Sequence, residues 1–509
     1  MVLTFTNIAL ALGAYLVVVL GIAYVAMGRL DVTPDDYYLA GRGLGTLVLT
    51  GTVLATWFST FAFLGGPGTF FSSGSGWLWF GLFNITGPIL IWVIGTRFWL
   101  LGRKFDHVTP SDLLAQFYED DDSVRILVAV IAILALVPYS VIQLTGAAQA
   151  LVGALGAQQY FSTGVLLLMG MVALYLFVGG LRAVAWIDTL QAVIFMPALI
   201  ITAAATVYWS GGLSAGWSAT LAENPELWTF SAAGTGSWYT GALVWTMAWV
   251  FIPHMWQRML MAKNPKVIAR TAAVSGTISL WVITFSALLI GGIGSSLITE
   301  LPEGTAADGF MTILYAEFLP IGAIVITVAA FAAGMSTISS QILTTSSIFV
   351  RDIAKKPFRP DMDDSKEARI GRYFTIFFSL VVLGIALSPA AEQAIIPLAS
   401  DGVALALVYI PCVLGMLFWD EASTAGAKWS LLIGFVFLQI AIWTPVGSLF
   451  PVFGPPVYGL ALTAAVYYGV SKATASVPED RQTEYREILI KGMRIENPPR
   501  AADPQPSDD

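Results

Sequence analysis

Thirteen stretches of this chain are apolar for long enough to cross a bilayer, and nothing else in it narrows the fold so far. They lie near 4–27, 44–70, 77–101, 124–149, 159–179, 187–209, 238–262, 271–298, 320–350, 371–389, 393–418, 427–446 and 451–470. Hydrocarbon offers no water to complete the backbone's hydrogen bonds, so a span of this length is a helix of about 20 residues. The chain reads as an all-α polytopic membrane protein with 13 transmembrane helices. Hydrophobic residues make up 57% and charged residues 11%, where a soluble domain has roughly 45–50% and 25%. That difference removes the soluble, secreted and disordered classes together.

Other classes fall on single residues. Cys412 is the one cysteine, which excludes a disulfide framework and a cysteine-built metal cluster. A net charge of −8 leaves no basic face for nucleic acid. His107 and His254 lie far apart and form no metal or nucleophile constellation, so no enzyme is expected. The first run has no basic leader and no small-residue cleavage site, and is read as a retained helix.

Basic residues orient the spans, because Lys and Arg collect on the cytoplasmic side. With the N-terminus outside and the C-terminus inside, all 25 Lys and Arg fall on the inner side or in a flanking inner turn. The outer loops near 210–237 and 299–319 carry Glu223, Glu226, Glu300, Glu303 and Asp308, with no Lys or Arg.

Two spans carry helix-breaking signals. The second holds Gly65-Gly66-Pro67-Gly68 after the polar cluster Thr56, Ser59 and Thr60, and the seventh holds Pro253 in mid-run. Interrupted helices at matching places in two halves mark a transporter's midplane site. An offset of five helices is odd, so the implied five-plus-five repeat is inverted in the membrane. Pro and Gly kinks without that meaning are also common in spanning helices.

The ninth run carries the densest chemistry. Ser336, Ser339 and Ser340 share one helix face with Thr337 at its edge, and the Ala333 carbonyl sits one turn earlier. Oxygen ligands of this kind suit a small hard cation. Taken alone, so many hydroxyls fit close helix packing better. Two intramembrane carboxylates stand out. Asp188 would ligate a cation or ease its exit, or else pair with Arg182; Asp401 would be a gate, a proton site or a structural carboxylate.

Three motifs, in order, resemble the sodium:solute symporter family: Asp36-Tyr37-Tyr38-Leu39-Ala40-Gly41-Arg42-Gly43-Leu44-Gly45, the stretch from Gly179-Gly180 to Asp188-Thr189-Leu190-Gln191, and Met335-Ser336-Thr337-Ile338-Ser339-Ser340-Gln341. The resemblance covers roughly residues 27–470 and implies a leucine-transporter-type fold with one extra N-terminal and two C-terminal helices. It implies a sodium site at the Ala55, Phe58 and Ala333 carbonyls with the Ser336 and Thr337 hydroxyls. A second sodium, as in some members, would take Ser336, Ser339, Ser340 and Asp188. The solute would lie near Thr56, Trp57, Ser59, Thr60, Tyr139, Gln143, Thr246 and Trp249. Trp57 stands where proline-transporting relatives carry an Asp, which counts against a proline carrier of that type. The stretch Pro253 to Arg258 resembles carriers of small organic acids or pantothenate; its alternative is a plain helix end with Arg258 snorkelling to the interface.

The resulting expectation is sodium-coupled symport of a small organic solute, an organic acid or amino-acid-like molecule, by alternating access. Its rivals are a proton-coupled carrier of the same fold and a transporter-like sensor. Residues 1–43 form the extra helix and first loop, 44–209 and 210–418 the two repeats, 419–470 the last two helices, and 471–509 an inner tail whose end is expected to be disordered. One or two Na+ are the coupling ions, the lipid bilayer is the one large partner, and no oligomeric state is legible. A prokaryotic plasma membrane is expected, and 20 Asp against 13 Glu with 16 Arg against 9 Lys hints at a halophile.

Overall fold

The computed structural model describes residues 3–27, 39–229, 235–392, 395–450 and 452–493. Every regular element among them is helical. Ten helices are long and apolar enough to span a bilayer, or eleven when one bent pair is counted as a span. The expected seventh and thirteenth spans are helical too, but fall outside that group. The motif residues Asp36 to Tyr38 and the Pro-rich end from Asn497 lie outside the described residues.

The elements that matter below are α1 (Phe5–Met27), α2 (Thr46–Trp57), α3 (Gly66–Ser73), α4 (Trp79–Leu90), α5 (Thr96–Phe105), α6 (Pro110–Phe117), α7 (Asp122–Leu155), α8 (Phe161–Trp209), α9 (Thr235–Ala248), α10 (Pro253–Leu260), α11 (Pro265–Ile278), α12 (Pro320–Ile348), α13 (Asp364–Ala386), α14 (Ile395–Leu405) and α15 (Glu479–Met493). The α12 helix is the hub. From Ala329 to Ile348 every residue is buried, and it packs against α7, α8 and the end of α2. By contrast α1 and α13 leave Val17 and Leu380 70% and 61% exposed. Apolar side chains exposed along spans of this length mark a face turned to lipid or to another protein.

Small residues set the closest contacts. A methyl group added at Gly146 of α7 would lie 2.5 Å from Thr60 Cβ, and one at Gly334 of α12 would lie 3.0 Å from the Gln143 carbonyl. These two glycines let α7, α12 and the broken helix meet backbone to side chain.

Helix α15 folds back onto the end of α5 and onto α6. Tyr485 stacks on Phe105 at 5.0 Å and meets Phe117 edge-on at 5.1 Å, and its hydroxyl donates to Gln116 Oε1 at 3.2 Å. His107 is enclosed there, touching the same Gln116 oxygen. Burial pushes the His107 imidazole below its ordinary value, while Asp112 opposes that shift. A histidine depressed on folding contributes stability above its unfolded value of about 6.5 that is lost as pH falls through the folded value. The protein is therefore expected to melt at lower temperature near pH 5 than near pH 8, and His107→Gln to narrow that gap. An identical gap in both proteins would remove His107 from the acid response.

Candidate functional site

Helix α2 stops at Trp57. Phe58 leaves the helical region (φ −101°, ψ 45°) while its N–H still bonds the Leu54 carbonyl at 2.8 Å. A π turn, Phe61–Gly65, then leads into α3, and the two halves diverge by 57°. The break lies at Phe58 to Thr60, not at Gly65-Gly66-Pro67-Gly68 as the glycines suggested. Pro67 lies inside continuous helical backbone, directly after the π turn whose wider spacing accommodates its missing N–H. The second break is at Ile252, extended at φ −64° and ψ 130°, with Pro253 opening α10. The two broken helices are tied together by a short bridge, Leu44 N–H to Met261 O at 3.1 Å and Lys263 N–H to Leu44 O at 3.0 Å.

Against the first break stands α12. The Ser336 hydroxyl lies 2.8 Å from both the Ala55 and the Ala333 carbonyl oxygens, and the Thr337 hydroxyl 3.4 Å from the Ala55 oxygen. Three close oxygen pairs thus share two hydroxyl protons, which leaves one pair unbridged. All these side chains are fully buried. The donor set is oxygen alone and carries no charge, which fits a hard monovalent cation better than a transition metal. Among the described residues no group of three His, Cys, Asp or Glu side chains could hold a metal.

One turn below, Asp188 of α8 is wholly enclosed. It accepts from Thr52 Oγ1 at 2.7 Å and from Arg258 Nη2 at 3.1 Å. Arg258 also reaches Ser340 Oγ at 2.6 Å. With 3% of its side chain exposed, Arg258 does not snorkel to the interface. The Arg182 side chain weighed as a partner for Asp188 lies outside the described residues. Ser339 and Ser340 also bond back to the Ser336 carbonyl, at 3.3 and 2.8 Å.

Between the two breaks lies a cluster of aromatic rings. Trp249 meets Trp57 at 5.2 Å and Tyr139 at 6.5 Å, and Tyr139 meets His254 at 5.7 Å. Thr60 donates to Gln143 Oε1 and the Ile142 carbonyl, both at 2.9 Å. Ser59 Oγ accepts from the Phe61 N–H at 3.3 Å. The Thr56 hydroxyl bonds its own helix at the Thr52 carbonyl. Several buried polar atoms here make no hydrogen bond: Trp249 Nε1, both ring nitrogens of His254, Gln341 Nε2 and the Tyr139 hydroxyl, which has Ser59 beside it without bonding geometry. Each orphan costs about 1–3 kcal/mol, so this cluster carries an unmet demand for polar partners. The Thr246 hydroxyl bonds outside this cluster, pairing with Thr86 of α4 at 3.1 Å. Asp401 sits on α14 beside Ser400, which accepts from Trp245 Nε1 at 3.1 Å, and shares no hydrogen bond or ion pair with the Asp188 or Ser336 groups among the described residues.

Residues 37–434 match the model of the sodium:solute symporter family. The chain belongs to that family. The symporter is 29% identical to the sodium/pantothenate symporter of Escherichia coli over 488 residues, covering 93% of this chain and 98% of that one. It is 24% identical to the sodium/proline symporter of Escherichia coli, covering 88% and 90%. Its backbone superposes on a substrate-bound, outward-open Na+-coupled sialic acid symporter with a TM-score of 0.76 at 18% identity, over 94% of this chain and 100% of that one. This likeness establishes the fold.

The sequence reading missed His254, Gln341 and Arg258 as parts of the symporter's interior. The signal was present in Pro253-His254-Met255-Trp256-Gln257-Arg258: a helix restarting after a break is where polar side chains face inward, and intramembrane ionisable groups need partners. Asn84 had no such signal. It bridges Trp57 Nε1 and Thr284 Oγ1, both at 2.9 Å, only because α4 packs beside the break.

Proposed function

We propose that this symporter carries a small organic acid or amino-acid-like solute into the cell together with sodium, by alternating access across thirteen spans with the N-terminus outside and the C-terminus inside. The observation that carries the ion assignment is the convergence of the Ser336 and Thr337 hydroxyls on the Ala55 carbonyl at a helix break. Sodium at Ala55, Ala333, Ser336, Thr337 and the Phe58 carbonyl would replace the unbridged oxygen contact and hold α2 against α12. A hinge between two half-helices then becomes a rigid wall of the solute chamber.

The solute's surroundings are Trp57, Ser59, Thr60, Tyr139, Gln143 and Trp249, with His254 and Gln341 added. Unpartnered donors at Trp249 Nε1 and Gln341 Nε2 favour a solute with carboxylate, hydroxyl or amide oxygens, in keeping with the pantothenate relative. Energetically, each sodium supplies about 2.3 kcal/mol per 100 mV and about 1.4 kcal/mol per tenfold gradient. Their total sustains roughly a few-hundredfold accumulation of a neutral or zwitterionic solute, whereas for a singly charged carboxylate moving with one sodium the voltage contribution cancels and the sodium gradient alone drives uptake.

Proteoliposomes loaded without sodium test this. An inward sodium gradient is expected to drive uptake of pantothenate or a related hydroxy or amide acid, and an equal potassium gradient to drive none. Uptake driven by a pH gradient and indifferent to sodium would hand the coupling role to a proton.

A further inference from the structure

Arg258 is enclosed where both broken helices meet α8 and α12, and each guanidinium nitrogen has a partner. Nε donates to the Thr52 carbonyl and hydroxyl at 3.2 and 3.1 Å. Nη1 donates to the His254 carbonyl at 3.0 Å. Nη2 donates to Ser340 Oγ at 2.6 Å and Asp188 Oδ2 at 3.1 Å. A carboxylate and a serine hydroxyl on facing helices are the oxygens a second hard cation would use. Here a guanidinium holds them.

Charge sharpens the point. Asp188 is 0% and Arg258 3% exposed, and the pair is neutral without any free ion. A sodium ion inserted beside the guanidinium would leave a net positive charge in a dry region, where like charges repel strongly. The fixed charge also reaches the proposed sodium group. Ser340 stands one turn from Ser336, about 5–6 Å along the helix face. Thr52 likewise stands one turn before Ala55.

We infer that Arg258 is a tethered cation filling the second-ion position, so that each transport cycle is coupled to a single sodium ion. This rests on the sodium-symport reading above. The guanidinium discharges the role of a second ion permanently, holding Asp188 through Oδ2 while Oδ1 keeps no hydrogen-bond partner, and joining α2, α8, α10 and α12. The one exchangeable sodium binds against its fixed field.

Equilibrium binding of radioactive sodium to the purified full-length protein decides the matter without knowing the solute. Wild type is expected to saturate at one sodium per chain, without cooperativity. Arg258→Met, which keeps the length of the side chain and removes its charge, is expected to take up a second sodium and to bind the first severalfold more tightly. Asp188→Asn is expected to bind more weakly but still one per chain. Two sodium ions in wild type falling to one in Asp188→Asn would overturn the inference and leave symport intact. A folded Arg258→Met protein that still binds one would also overturn it. No saturable sodium in wild type would overturn both readings. Should Arg258→Met fail to fold, the counts in wild type and Asp188→Asn decide alone.

Discussion

Ser336→Ala is expected to weaken sodium binding at least about tenfold, a loss of about 1.4 kcal/mol or more. The hydroxyl lies 2.8 Å from both carbonyls, Ala55 across the break and Ala333 on its own helix. Alanine deletes a ligand and the hydrogen bond that positions α2 for the others. Thermal unfolding in NaCl and in KCl at equal ionic strength reads this directly, since stabilisation by a bound ligand follows mass action. Wild type should melt higher in NaCl, and Ser336→Ala should erase most of that difference. Thr337→Ala, whose contact is longer at 3.4 Å, should act in the same direction. A sodium-specific shift of the same size in Ser336→Ala would remove this group as the ion site.

Arg125→Met is expected to cost about 3 kcal/mol of stability, the lower end of what stranding a buried charge costs. Arg125 Nη1 lies 3.0 Å from Asp112 Oδ1 and 3.5 Å from Asp352 Oδ1, with both carboxylates enclosed. Burial would raise the Asp112 carboxyl, but the Lys356 and Arg351 charges hold it well below the usual carboxylate range. Lys356 bonds Asp112 directly and remains in the variant, which keeps the loss from the upper end. The N–H groups of Val108 and Thr109 also stay on Asp112 Oδ2, at 3.0 and 3.3 Å. The measurement is the unfolding midpoint of the purified protein, with the NaCl-minus-KCl difference as control. A lower midpoint with that difference preserved places Arg125 in the scaffold. A midpoint equal to wild type would mean the carboxylates are hydrated and need no arginine.

Most of the architecture was legible because a bilayer imposes a simple rule on sequence. Apolar length announces spans, and among the described residues every regular element is helical, with ten or eleven spans long and apolar enough to cross a bilayer. Breaks were visible as Pro253 and as the polar cluster Thr56, Ser59 and Thr60, though glycine content misplaced the first by several residues. Gly65 to Gly68 tolerate a helix where neighbours supply the packing. The proposed ion group at Ser336, Thr337 and Ala333 was legible only through the resemblance, since hydroxyl spacing alone fits helix packing better.

Sequence by itself determined the membrane class, the helical fold and the family, because each depends on local apolar length or on a contiguous motif. Partnership was decided by the tertiary structure. Thr246 turned to Thr86 and away from the aromatic cluster, and Arg258 turned inward to Asp188, seventy positions away. Which oxygens a buried cation finds depends on how helices cross. That is set by small residues such as Gly146 and Gly334 permitting close approach, and it cannot be read along the chain.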